Sequence, residues 1–207
     1  RQIGGAALRA PTLVDLDLDG LLDLVVLDQA NNQFLLLYGE ATSAWFGKPT
    51  MVGSGGKGPH LLAAAKLDYD PYPDLIIGHE FDGTVVGFFT GGIPVPLAPN
   101  LMDSGQQPRA VVVAKLDDAD RPDVGIVYAG AEDGSSPGVL HLWQGRADGR
   151  FAVLEPASEL PPALTDLQVA DVDNNRVPDL LTLHAPRGRV GDERLHILLR
   201  GPTRHVT

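Results

Sequence analysis

The sequence predicts an all-β protein built as a β-propeller of four four-stranded blades. Three observations carry this expectation. An internal repeat of about fifty residues runs through the chain, short apolar runs alternate with turn formers, and no window holds a sustained, capped helical periodicity.

The repeat is centred on an acidic turn. Four segments align without gaps, Leu13 to Leu24, Ala64 to Leu75, Val113 to Val124 and Val169 to Leu180. Each begins apolar, crosses several aspartates and resumes apolar. Their first turn positions, 15, 66, 115 and 171, are 51, 49 and 56 residues apart, the length of one propeller blade. A strand follows each turn: Asp23 to Leu27, Asp74 to Ile77, Asp123 to Val127 and Asp179 to Leu183. A further apolar run ends in glycine each time, Phe34 to Gly39, Val85 to Gly91, Val139 to Gly145 and Leu195 to Gly201. Turn formers such as Asn31-Asn32 and Asp82-Gly83 lie between the two runs, as hairpins require. Weaker strands around Thr50 to Val52, Leu101-Met102 and Phe151 to Val153 bring each unit to four.

These units predict one domain over residues 1–207, with repeats at about 11–60, 61–109, 110–165 and 166–207 and residues 1–10 closing the last blade. The 36 residues after Asp171 and the 15 up to Asp15 make a fourth interval of 51, which suits a closed four-bladed ring. Whole blades of a larger ring, or two copies pairing into eight, satisfy the same arithmetic.

Composition narrows the function. The 207 residues carry 27 acidic against 16 basic side chains, a formal charge of -11, which repels phosphate backbones and argues against nucleic acid as a partner. There is no cysteine, so no disulfide. No apolar run approaches the roughly 20 residues of a membrane helix, so membrane insertion is not expected. The sequence begins at Arg1, as a processed product or a cut segment does.

The turns carry the chemistry. In the first, Asp15, Asp17, Asp19 and Asp23 occupy positions 1, 3, 5 and 9, and Gly20 provides a sharp bend. Carboxylates so spaced converge on a hard cation, with the Leu21 carbonyl completing an oxygen cage that suits calcium better than magnesium. In the fourth turn Asp171, Asp173, Asn175 and Asp179 fill these positions, with Val177 supplying the carbonyl. Its neutral ligand predicts weaker binding. The second and third turns begin with Lys66 and Lys115. A lysine ammonium can stand between carboxylates in place of an ion, so Lys66 with Asp68, Asp70 and Asp74, and Lys115 with Asp117 and Asp123, are expected to be lysine-closed turns without metal. About two Ca2+ ions per chain follow.

This pattern resembles the FG-GAP or VCBS repeat family of calcium-containing β-propellers, to which integrin α-chain head domains also belong. The likeness spans nearly the whole chain and is strongest at Asp15 to Leu24, while Phe46-Gly47 and Ala185-Pro186 echo the family's name motifs only faintly. The resemblance implies calcium in the loop between the first two strands of a blade and an extracellular, cell-surface or periplasmic location.

No nucleophile elbow, zinc-protease motif or phosphate loop is present, and ligating carboxylates make poor general acids, so catalysis is not expected. His79 and His184 hold equivalent repeat positions, with Asp28 and Tyr128 in the other two units, and blades around an axis would gather these four. Together with Trp45 and Phe46 in a polar connection they form the candidate ligand surface. The expected function is a non-enzymatic, calcium-stabilised recognition, adhesion or scaffold module with a protein or glycan ligand, as a homo-oligomer or part of a larger chain. The alternative is a lectin or accessory domain of a carbohydrate-active enzyme.

Overall fold

In a computed structural model the chain is all-β: the described residues form fifteen strands in four antiparallel sheets and no α-helix. The structure describes residues 7–42, 44–91, 99–104, 107–117, 121–131, 135–146, 151–185 and 193–199, with backbone only for 99–104 and 155–156. No helix among them is long and apolar enough to cross a membrane.

Each sheet is a meander in chain order. The first comprises β1 (Leu8–Val14), β2 (Asp23–Asp28), β3 (Gln33–Leu37) and β4 (Thr50–Gly53). The second comprises β5 (Pro59–Ala65), β6 (Asp74–His79), β7 (Thr84–Phe88) and β8 (Pro99–Ser104). The third comprises β9 (Pro108–Ala114), β10 (Asp123–Tyr128), β11 (Gly138–Gly145) and β12 (Phe151–Leu160). The fourth has three strands, β13 (Leu164–Ala170), β14 (Asp179–His184) and β15 (Arg194–Leu198). The acidic turns join the first two strands of every sheet, where the sequence places them.

Two boundaries differ from expectation. The sheets begin two or three residues before the predicted repeats, because residues 8–10 already pair with β2, Leu8 opposite Asp28 and Arg9 opposite Leu27. Those residues therefore belong to the first sheet and not to the last, and residues 1–6 lie outside the described residues. The single domain over 1–207 is also divided, into compact units Arg1–Pro108 and Arg109–Thr207.

Within the first unit, Val25, Leu27, Phe34 and Leu36 of the first sheet pack on Leu75, Ile77, Val86 and Phe88 of the second. Phe34 and Phe88 meet edge to face at 5.3 Å. The second unit repeats the scheme with Leu116, Val127, Leu140, Leu142 and Leu160 against Leu164, Leu167 and Leu180. The central strands are apolar on both faces, so alternation is weak in β2, β6 and β10, as in strands buried on both sides.

Candidate metal centre

The ninth position of the turn is a clasp. Asp23, Asp74, Asp123 and Asp179 are at most 1% exposed. Each accepts at Oδ2 from the backbone N–H of the second turn residue, Leu16, Leu67 and Leu116 at 2.8 Å and Val172 at 2.9 Å. In the first three sheets Oδ1 accepts a second N–H from just beyond the third strand, from Gly39 at 2.8 Å, Thr90 at 2.9 Å and Gly145 at 3.1 Å. One carboxylate thus ties the turn between the first two strands to the end of the third. Close approach needs glycine at two of these ends, since a Cβ on Gly39 would stand 2.8 Å from the Leu22 carbonyl oxygen and one on Gly145 would stand 2.3 Å from that of Pro122. In the second sheet the position falls on Thr90, one residue before the predicted Gly91, and the Thr90 hydroxyl donates to the Pro73 carbonyl at 2.7 Å. Burial pushes the Asp23 and Asp123 carboxyls up and raises Asp74 to about 6, against the lowering effect of these N–H donors.

The remaining ligand positions separate the turns into kinds. In the first, Asp15, Asp17 and Asp19 bring carboxylate oxygens within 4.8 Å of one another. Gly20 N–H donates to Asp15 Oδ2 at 3.0 Å, Asp19 N–H to Asp17 Oδ1 at 3.2 Å and Leu21 N–H to Asp19 Oδ1 at 2.8 Å. The fourth turn copies this path. Arg176 N–H donates to Asp171 Oδ2 at 2.8 Å, Asn175 N–H to Asp173 Oδ1 at 3.1 Å and Val177 N–H to Asn175 Oδ1 at 2.7 Å. Both loops take the left-handed conformation at positions 4 and 6, with φ of 61° and 89° at Leu18 and Gly20 and 60° and 73° at Asn174 and Arg176. A leucine and an arginine hold this conformation only because the loop around them imposes it.

Fit to a cation differs between the two turns. Asp15 Oδ1 is buried without a hydrogen-bond partner among the described residues, an orphaned anionic oxygen inside an all-oxygen donor set, which suits a hard cation. In the fourth turn Asp171, Asp173 and Asp179 converge, the Asn175 amide nitrogen lies 3.0 Å from Asp173 Oδ2, and both Asp171 oxygens already accept N–H groups. Asp23, predicted as a ligand of the first turn, lies outside its convergent trio, whereas Asp74 and Asp179 at the same position belong to theirs.

The second and third turns each carry an exposed lysine at their first position. Asp68, Asp70 and Asp74 converge within 4.8 Å, while Lys66 is exposed and is the smallest of the influences acting on Asp70. Burial raises the Asp70 carboxyl more than the lysine lowers it. In the third turn Asp117 accepts from the Gln144 side-chain amide, which reaches across from β11, and Lys115 is exposed. Ala119 lies outside the described residues.

Four residues of the predicted ligand surface are buried. Asp28, His79, Tyr128 and His184 each end the second strand of their sheet, and all are 0 to 2% exposed. Asp28 accepts from the side-chain amides of Asn31 at 2.8 Å and Gln33 at 3.1 Å, and the Asn31 amide holds its carboxyl below the usual range. His79 donates from Nδ1 to the Thr84 carbonyl at 3.1 Å. His184 donates from Nδ1 to the Pro162 carbonyl at 3.1 Å and accepts at Nε2 from the Thr182 hydroxyl at 2.8 Å. Burial pushes both imidazoles down. Trp45 and Phe46 lie at the other end of the first sheet, beside the acidic turn, since β3 runs back toward the start of β2.

There the chain makes a small hairpin. Gly39 bridges to Phe46, Glu40 N–H donates to the Trp45 carbonyl at 2.8 Å, and Trp45 N–H donates to the Thr42 carbonyl at 3.1 Å. Trp45 is 73% exposed at a φ of 66°. Sequence reasoning missed Tyr38, whose phenol burial pushes up, with the Asp23 and Asp17 charges adding to it at the edge of the first turn. It also missed the clasp, although aspartate at position nine in all four turns was the available signal.

Compared with known proteins, the chain matches no family model, and no curated protein matches it.

Proposed function

We propose that the chain is a calcium-stabilised β-propeller of the FG-GAP or VCBS type, acting without catalysis as a recognition, adhesion or scaffold module at the cell surface, in the periplasm or outside the cell. The orphaned Asp15 Oδ1 within the trio of Asp15, Asp17 and Asp19 carries the metal part of this reading. The shared backbone path of the first and fourth turns supports two sites, and four antiparallel meanders in chain order, three of four strands and one of three, support the propeller. Calcium would be held by Asp15, Asp17 and Asp19 in the first turn and by Asp171, Asp173 and Asp179 in the fourth. Its charge would neutralise carboxylates that otherwise repel, and it would fasten the loop.

Thermal unfolding in excess calcium and in EDTA tests this. At about a hundred times the dissociation constant one site adds about 2.7 kcal/mol, or roughly 5–10 °C for a chain of this length. Asp17→Ala and Asp173→Ala should each remove part of that rise. Equal midpoints in calcium and EDTA would end the metal reading.

A second reading, a glycan-binding module, rests on Trp45, a large aromatic held exposed on a hydrogen-bonded hairpin. Glycan-array binding lost in Trp45→Ala would favour it, and an array without a hit would remove it.

A further inference from the structure

The second unit holds a cavity where the first unit holds a hydrogen-bonded pair. In the first unit Gln29 and Glu80 follow the second strands of their sheets, each six residues beyond its clasp aspartate. The Gln29 side-chain amide donates to Glu80 Oε2 at 2.7 Å and so joins the two sheets. Arg9 Nε–H donates to Gln29 Oε1 at 2.9 Å, and the Gln107 side-chain amide donates to Glu80 Oε1 at 2.9 Å. A carboxylate is thus built into this place, served by two amides, with a guanidinium behind one of them.

The second unit keeps the guanidinium and cuts back the pair. Ala129 and Ala185 stand six residues beyond the clasps Asp123 and Asp179, where Gln29 and Glu80 stand in the first unit. Arg109 precedes the first position of its turn by six residues, as Arg9 does. The comparison is like with like, because Leu27, Phe34 and Leu75 share the core of the first unit as Val127, Leu140 and Leu180 share that of the second.

The truncation coincides with a cavity of about 180 Å3 lined by Arg109, Ala129, Gly130, Ala163, Thr165 and Ala185, all within the second unit. One water needs roughly 10–15 Å3 and a drug-sized ligand roughly 300–1,000 Å3, so the space suits a small organic molecule. Arg109 and Thr165 also border a neighbouring cavity lined by Asp166, whose carboxylate disfavours an anion on that side of Arg109. The Thr165 hydroxyl donates to the Leu183 carbonyl at 3.0 Å. Recognition of an anion therefore falls to Arg109, whose guanidinium has five N–H donors and can serve a carboxylate alongside other partners.

We propose that this cavity binds a short-chain organic carboxylate, with its anionic end on Arg109 and its aliphatic chain between Ala129 and Ala185. The ligand takes the place that the Gln29–Glu80 pair fills in the first unit. The cavity lies at the opposite end of β13 and β14 from the acidic turn, so its occupancy does not depend on metal.

Titration of the full chain with butyrate in EDTA at constant ionic strength, followed by amide NMR shifts, tests this. The expected result is saturable binding in the millimolar range or tighter, with shifts centred on Ala129, Gly130, Ala163 and Ala185. Butyramide, of the same shape without the charge, should bind at least about tenfold more weakly, and Arg109→Gln should weaken butyrate by a similar factor. Ala129→Gln with Ala185→Glu copies the pair of the first unit into the cavity and should abolish binding. Should that double variant fail to fold, Arg109→Gln at its exposed site still decides. Absence of saturable shifts, shifts centred elsewhere, equal affinity for butyramide, or unchanged affinity in Arg109→Gln or in the filled variant overturns the proposal.

Discussion

Single carboxylates hold this fold together at points where no apolar contact could. Asp123 satisfies two backbone N–H groups, those of Leu116 and Gly145, from a site with no solvent exposure. Asp123→Ala leaves both donors buried and unpaired, so a loss of about 2–5 kcal/mol is expected, read as a lower denaturant midpoint at unchanged m-value. Histidine supplies the pH dependence at this scale. His79 and His184 are buried neutral, and their folded pKa values lie below the ordinary value near 6.5. The unfolded chain then binds more protons, so their contribution is complete above about pH 6.5 and is lost as pH falls through that value toward the lowered one. Asp74, raised to about 6 in the folded chain, acts in the opposite sense as pH falls through that value, so the histidine part is read from the difference between wild type and His184→Gln: the urea midpoint of the wild type should fall more, or rise less, than that of the variant between about pH 8 and 5.

At the scale of the turn, backbone shape is more informative than charge count. Leu18 and Arg176 hold the left-handed conformation where glycine is at ease, and Leu18 is 46% exposed, so little packing is lost by trimming it. Leu18→Gly and Arg176→Gly should each stabilise the metal-free chain by about 0.5–1 kcal/mol. Tyr69 holds the position of Leu18 in the second turn without a positive φ, so Tyr69→Gly should destabilise. Differential scanning calorimetry of the three variants in EDTA decides this, and a uniform sign would refute the division of the turns into two kinds. The two kinds were legible from position 1, aspartate in the first and fourth turns and lysine in the other two. How deep each lysine sits was not legible, because the sequence does not say how near the surface a turn lies, and both Lys66 and Lys115 are exposed.

For the molecule as a whole, the net charge of -11 acts against compactness. In EDTA, raising sodium chloride should raise the unfolding temperature as screening shortens the reach of repulsion between the acidic turns. Saturating calcium should shrink that salt dependence, and an unchanged dependence would mean that the turns are not the seat of the repulsion. Magnesium should be less effective than calcium, since it gives up its waters reluctantly.

The sequence by itself determined the strand order, the position of all four acidic turns and the pairing of short apolar runs into hairpins. These depend on local periodicity and on turn residues, which act over a few positions. The tertiary structure alone decided that the ninth aspartate is a clasp, that Asp28, His79, Tyr128 and His184 are buried and not presented, and that Trp45 lies at the opposite end of its sheet from Asp28. Burial depends on which neighbour covers a face, and a carboxylate's role depends on which N–H groups arrive from residues sixteen or more positions away. A repeat repeats its pattern in every unit, but the surroundings of that pattern change from one unit to the next.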